Sequence, residues 1–192
     1  MSQIAIRIIR EEHAALAAVL QSIITLLEKG PADDPQRFFD VLRAMLFYID
    51  EFPEKLHHVN ESNLLFPAVG RRAPELQPFI AQLETDHLQG ESRVRKLQHQ
   101  LLAWELLGDD ARVDFTEAAH EYVRFYLNHM RLEETEILPV AQARLTDEDW
   151  SKLNASFVRD RDPLSGGERN SRYERLFSRI VLATPAPIGL GA

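Results

Sequence analysis

Side chains able to bind a cation recur along this chain at one spacing: His57 and Glu61, His87 and Glu91, and His129 and Glu133 are each four residues apart. On a helix that spacing stacks imidazole and carboxylate one turn apart on one face, so each pair can point at one centre. His13 supplies a fourth imidazole from an earlier apolar helix face. Turning such groups into an apolar interior without partners costs on the order of several kcal/mol. They need one another or a ligand.

One H-x-x-x-E pair is a weak signal, but three among seven histidines form a pattern. His57, Glu61 and Pro67 recur 72 residues later as His129, Glu133 and Pro139, with Leu65-Phe66 falling on Ile137-Leu138, so H-x3-E-x3-apolar-apolar-P occurs twice. His13 and His87 are 74 residues apart. The chain therefore reads as two helix hairpins related by a pseudo-twofold axis, with donors meeting at mid-height. Imidazoles and carboxylates from facing helices suit two iron or manganese ions better than structural zinc or calcium.

The other histidines sort by helix phase. At about 100° per residue, His120 lies opposite His129 and His99 lies off the line of His87, so both read as solvated or supporting. His58 neighbours His57 and precedes Glu61 by three residues, but the repeat register favours His57 as the donor. Glu91 is open between a metal ligand and an acceptor for a ligand's hydrogen bond. Glu133, not Glu134 or Glu136, keeps the repeat, and the Leu, Phe and Tyr stripes are assigned to the core.

The elements that must position these residues are helical. Ile6, Ile9, His13, Leu16, Leu20, Ile23 and Leu27 recur at three- and four-residue steps until Gly30-Pro31. A second pattern starts at Asp33-Asp34-Pro35 and runs to Phe66-Pro67, with a kink or restarted turn expected at Pro53. A third follows Pro74 or Pro78 and ends at Gly108; a fourth starts near Asp114 and reaches Leu138-Pro139. The expected fold is all-α, an antiparallel up-down four-helix bundle over residues 1–145. Residues 146–192 read as a helical appendage packed on it, with a helix from Thr146, a loop from Pro163 to Gly167, an amphipathic segment through Ile180 and a Pro- and Gly-rich tail.

With 192 residues, 45% of them hydrophobic and 27% charged, the chain suits one globular domain. Its net charge of -8 and lack of a basic stripe argue against nucleic-acid partners. The absence of cysteine removes disulfides, thiolate zinc sites, iron–sulfur clusters and cysteine nucleophiles. No apolar stretch approaches a membrane span and no signal core opens the chain, so a cytoplasmic location is expected.

In Glu11-Glu12-His13, in His57 to Pro67 (HHVNESNLLFP), in Asp86-His87 and in His129 to Pro139 (HMRLEETEILP), the sequence resembles the hemerythrin-like, HHE cation-binding family over residues 3 to 145. The C-terminal segment, including Asp162-Pro163-Leu164, looks like a bacterial subgroup of that family. The resemblance implies a non-haem di-iron centre with an oxo, hydroxo or water bridge, with Mn or Zn as other occupants. Glu61 and Glu133 would bridge the ions, His13 and His57 would bind one, and His87, Glu91 and His129 would bind the other. The first ion would keep an open position for dioxygen, nitric oxide or peroxide.

Oxygen-carrying hemerythrins have H-x3-H in the third helix, where this chain has His87 and Glu91. A carboxylate there is expected to favour the ferric state and to turn the protein from oxygen carriage towards redox turnover, sensing or iron handling. The leading expectation is a di-iron protein that binds or reacts with a small diatomic ligand or peroxide. The other is an iron- or oxygen-responsive interaction module without turnover, which would have a protein partner or form a homo-oligomer.

Overall fold

The computed structural model describes residues 3–168 and 171–183. Helix α1 spans Ile4–Lys29 and ends at Gly30, whose φ of 69° is cheap for glycine. Helix α2 (Pro35–Glu51) begins with proline at its first position and with the Asp34 carboxylate accepting the Arg37 amide at 3.0 Å. The chain stays helical from there to Arg72, passing through a π turn at Pro53–His57, α3 (His58–Asn60), a second π turn at Glu61–Leu65 and α4 (Phe66–Arg72). The feature expected at Pro53 is thus a widened turn.

Helix α5 (Gln77–Leu107) follows a short 3-10 turn at Pro74–Leu76 and ends at Gly108. Helix α6 (Arg112–Leu132) passes through a third π turn, Glu133–Ile137, into α7 (Leu138–Arg144). The π turns at Glu61 and Glu133 come just before Pro67 and Pro139. A proline cannot donate the usual helical hydrogen bond, and the wider turn absorbs the mismatch: the amides of Phe66 and Leu138 reach five residues back, to the carbonyls of Glu61 and Glu133.

Helices α1, α2, α5 and α6 pack in a ring, each against the next, as the four-helix bundle requires. Helix α8 (Asp147–Arg159) starts with a capping box between Thr146 and Asp149 and packs on α1. Its buried Trp150, Leu153 and Phe157 join Ile6, Ile9, Leu65 and Ile137, each worth about 1.5–3 kcal/mol of apolar burial. Helix α9 (Glu174–Ala183) packs on α2, with Phe177 and Ile180 in the other apolar cluster. No strand occurs among the described residues, nor is any of their helices long and apolar enough to cross a membrane. The tail anticipated from Pro185 to Ala192 lies outside the described residues.

The core is split in two. One apolar cluster begins at Leu16, Phe52, Val94 and Met130; the other ends at Ile9, Leu65, Leu83 and Ile137. Between them, at the same height on all four helices, stand His13, His57 to Glu61, His87 and His129 to Glu133.

Candidate metal centre

Two groups of donors lie side by side in this layer. His13, His57, Glu61 and Glu133 form one; His58, Glu61, His87 and His129 form the other, and in each a donor atom from every residue lies within 4.8 Å of the rest. All seven residues are buried, and Glu61 and Glu133 are 0% exposed.

Glu61 belongs to both groups. Its Oε1 is 2.9 Å from His57 Nε2 and 4.0 Å from His13 Nε2, while its Oε2 is 3.5 Å from His87 Nε2. Glu133 Oε2 lies 3.2 Å from His13 Nε2 and 3.7 Å from His129 Nε2, again one carboxylate facing both sides. Neither oxygen of either glutamate forms a hydrogen bond, nor does Nε2 of His87 or His129, although all are sealed from water. Buried carboxylate oxygens left in that state are expensive, and cations between them and the imidazoles would satisfy them together.

The imidazoles are aimed by their other nitrogens. His57 Nδ1 is 2.6 Å from Glu12 Oε2, His13 Nδ1 2.9 Å from Glu134 Oε1, and His58 Nδ1 3.1 Å from Glu54 Oε2. His87 Nδ1 is 3.0 Å from Ser62 Oγ, whereas His129 Nδ1 forms no hydrogen bond and only faces Asp86 Oδ2 at 3.5 Å. An Nδ1–H donated outwards leaves the Nε2 lone pair facing the centre, as metal-binding histidines require. Glu54 is itself held by the hydroxyls of Tyr126 and Tyr122.

Protonation follows the same layout. Burial would lower His13, but the neighbouring carboxylates of Glu133 and Glu134 outweigh it and raise the imidazole to about 9. His57 is likewise lowered by burial and lifted well above its ordinary value by Glu61 and Glu12. His58 is pushed well below, by burial and by its neighbours His87, His129 and His57. Burial raises the Glu61 carboxyl, yet His57 and His87 hold it well below the usual range. Burial raises Glu54 to about 7 against the hydrogen bonds of the two tyrosines.

Of the residues singled out from the sequence, His13, His57, Glu61, His87, His129 and Glu133 come together here, and Glu91 does not. Its side chain is 46% exposed and bonded to Arg95 at 2.5 Å. The reason is helix phase: Leu83, Asp86, Gly90, Val94 and Leu97 mark the buried face of α5, and Glu91 lies about 100° round from Gly90. His58, set aside in favour of His57, stands instead beside His87 and His129. Both neighbours can face inwards because Glu61 falls about 40° from His57 and about 60° from His58, between them. Its repeat counterpart is Met130, so the two halves differ by one imidazole. Glu134, which lies outside the repeat, contacts His13, and the aromatic stripe contributes Tyr122 and Tyr126 to Glu54; a buried tyrosine hydroxyl needing a partner was the available signal. His99 and His120 are exposed.

A four-helix bundle whose middle layer is a buried cage of imidazoles and carboxylates defines a class of helical cation-binding proteins. Residues 4–141 match the hemerythrin HHE cation binding domain, and the chain belongs to that family. A search of the curated proteins finds no match.

Proposed function

We propose that this protein is a non-haem di-iron protein that binds or reacts with dioxygen, peroxide or nitric oxide. The observation carrying this reading is Glu61, whose two oxygens serve two adjacent donor groups and find no other partner. His13 and His57 would hold one ion and His58, His87 and His129 the other, with Glu61 and Glu133 shared. Bound iron would supply a Lewis-acidic, redox-active centre at neutral pH. The chain's own part is to keep the Nε2 lone pairs aimed inwards, through hydrogen bonds to Glu134, Glu12, Glu54 and Ser62 and the facing carboxylate of Asp86 at His129, and to keep bulk water out.

In this reading Glu91 adds no charge to the centre, so it gives no bias towards the ferric state. A small cavity adjoins the two-imidazole group, walled by Leu16, Pro53, Met130 and Asp162 beside His13, His57 and His58. Its room is that of about one water molecule. Metal analysis with an ultraviolet–visible spectrum of protein purified in air tests the proposal. About two irons per chain with charge-transfer absorption is the expected result; one zinc per chain contradicts it. Assays of peroxide disproportionation and nitric oxide reduction, run beside Glu61→Ala, separate turnover from binding.

A further inference from the structure

Outside the residues matched by the family, Phe157 of α8 packs its ring edge-on to His57, and the turn that follows reaches the carboxylate behind that imidazole. The backbone N–H of Asp162, in the turn after α8, donates to Glu12 Oε1 at 2.8 Å. The other oxygen of the same carboxylate, Oε2, is the one 2.6 Å from His57 Nδ1. Asp162 is itself pinned: its Oδ2 accepts from the Tyr48 hydroxyl and its Oδ1 from the Leu164 amide at 2.7 Å. Arg161, next to it, is paired with Glu11, the neighbour of Glu12. Asp162 is 5% exposed and Glu12 6%, and both line the cavity beside His57.

We propose that Glu12 and Asp162 form a latch by which the C-terminal extension positions His57, so that cation binding at the two-imidazole group and closure of the 160–166 turn stabilise one another. The inference rests on the two-cation reading above. Its chemistry is that of one carboxylate serving two donors. While Oε1 holds the Asp162 amide, Oε2 can accept from His57 Nδ1–H, and that tautomer presents the Nε2 lone pair to the centre. A cation at Nε2 makes Nδ1–H a stronger donor, which draws Glu12 into the geometry that also serves Asp162. By thermodynamic reciprocity the closed turn raises cation affinity by the same factor. Among the described residues the three-imidazole group has no such link: His58 is held by Glu54, and His87 by Ser62, both within the bundle.

Glu12→Gln tests the latch because the amide has one acceptor and one donor face. It can serve Asp162 with its oxygen and confront His57 with its NH2, or serve His57 and confront the Asp162 N–H, but it cannot do both. The measurements are titration of the metal-free full-length protein with ferrous iron and hydrogen exchange at the Asp162 amide, with the His57 tautomer read from imidazole 15N shifts. In the wild type, two ions bind and loading slows exchange at Asp162 tenfold or more. In Glu12→Gln, one ion binds 10- to 100-fold more weakly, the other is unchanged, and the slowing is lost. Tyr48→Phe, which leaves Glu12 and every donor intact, shifts the same ion in the same direction by a smaller factor and carries the test should Glu12→Gln fail to fold. Equal affinities in wild type and variants, or Asp162 exchange indifferent to loading, overturns the latch. A wild type that binds no pair of ions instead overturns the two-cation reading itself.

Discussion

The Nε2 atoms of His13 and His57 face each other 3.2 Å apart while each ring's Nδ1 is taken up by a carboxylate, Glu134 at 2.9 Å and Glu12 at 2.6 Å. Rings that donate from Nδ1 turn lone pairs towards each other at Nε2, and only a cation between them makes the arrangement favourable. In metal-free protein, carboxylates favour protons on both rings, Glu133 and Glu134 at His13 and Glu61 and Glu12 at His57. In the proposed two-cation centre a metal ion would take their place.

Metal uptake should therefore release protons. The folded metal-free protein keeps His13 protonated to about pH 9, whereas an unfolded chain releases that proton near 6.5. The sign follows: this contribution to folding is fully present below about 6.5 and is lost as pH rises through about 9. Metal affinity moves the opposite way and rises with pH across the same window, because the ion must displace the proton. Calorimetry in buffers of different ionisation enthalpy counts the protons released, and affinity independent of pH between 7 and 9 contradicts the layout.

Removing the shared carboxylate should affect both ions. Glu61→Gln keeps the shape but loses the charge that serves two groups, so both affinities fall by at least about 100-fold, more than for an orienting partner. Titration of the folded variant, checked by circular dichroism, reads this. Loss of one ion with the other untouched contradicts a shared role.

His58 and Glu91 should behave oppositely. His58→Ala removes a donor from the three-imidazole group and lowers metal content towards one ion per chain. Glu91→Ala leaves two, and changes stability by no more than about 0.5 kcal/mol, since it breaks only an exposed pair with Arg95. Metal analysis of the two variants decides between the placement seen here and the pattern of spacing alone.

That contrast shows where the sequence was legible. The bundle could be read because Ile6 to Leu27 and the later stripes carry the helical period without interruption, and the gathering of His57, Glu61, His129 and Glu133 because the 72-residue repeat marks matched positions, with His13 and His87 matched at 74. Glu91 was misplaced because four-residue spacing gives a shared face without saying where its centre lies, and in α5 that centre is on the Gly90 side of His87. His57 and His58 were weighed as rivals because the repeat offers one slot, Met130 filling the other in the second half. The orienting groups Glu12, Glu54, Glu134 and Asp162 act across helices, through packing that periodicity does not encode.

Gly90 owes its identity to that packing. A Cβ there would lie 1.9 Å from the Tyr126 hydroxyl oxygen and 2.9 Å from Glu54 Oε1. Gly90→Ala must displace Tyr126 and with it the carboxylate that holds His58, which outweighs alanine's better helix propensity. Destabilisation of about 1–3 kcal/mol is expected, seen as a lower Tm, together with weaker binding of one ion. A variant as stable as the wild type with both affinities intact contradicts the contact.

Diffraction at the iron absorption edge from crystals of iron-loaded protein tests the whole account most directly. Two anomalous peaks are expected, one among His13, His57, Glu61 and Glu133 and the other among His58, His87, His129 and Glu61. A single peak, or a peak bound by Glu91, contradicts it.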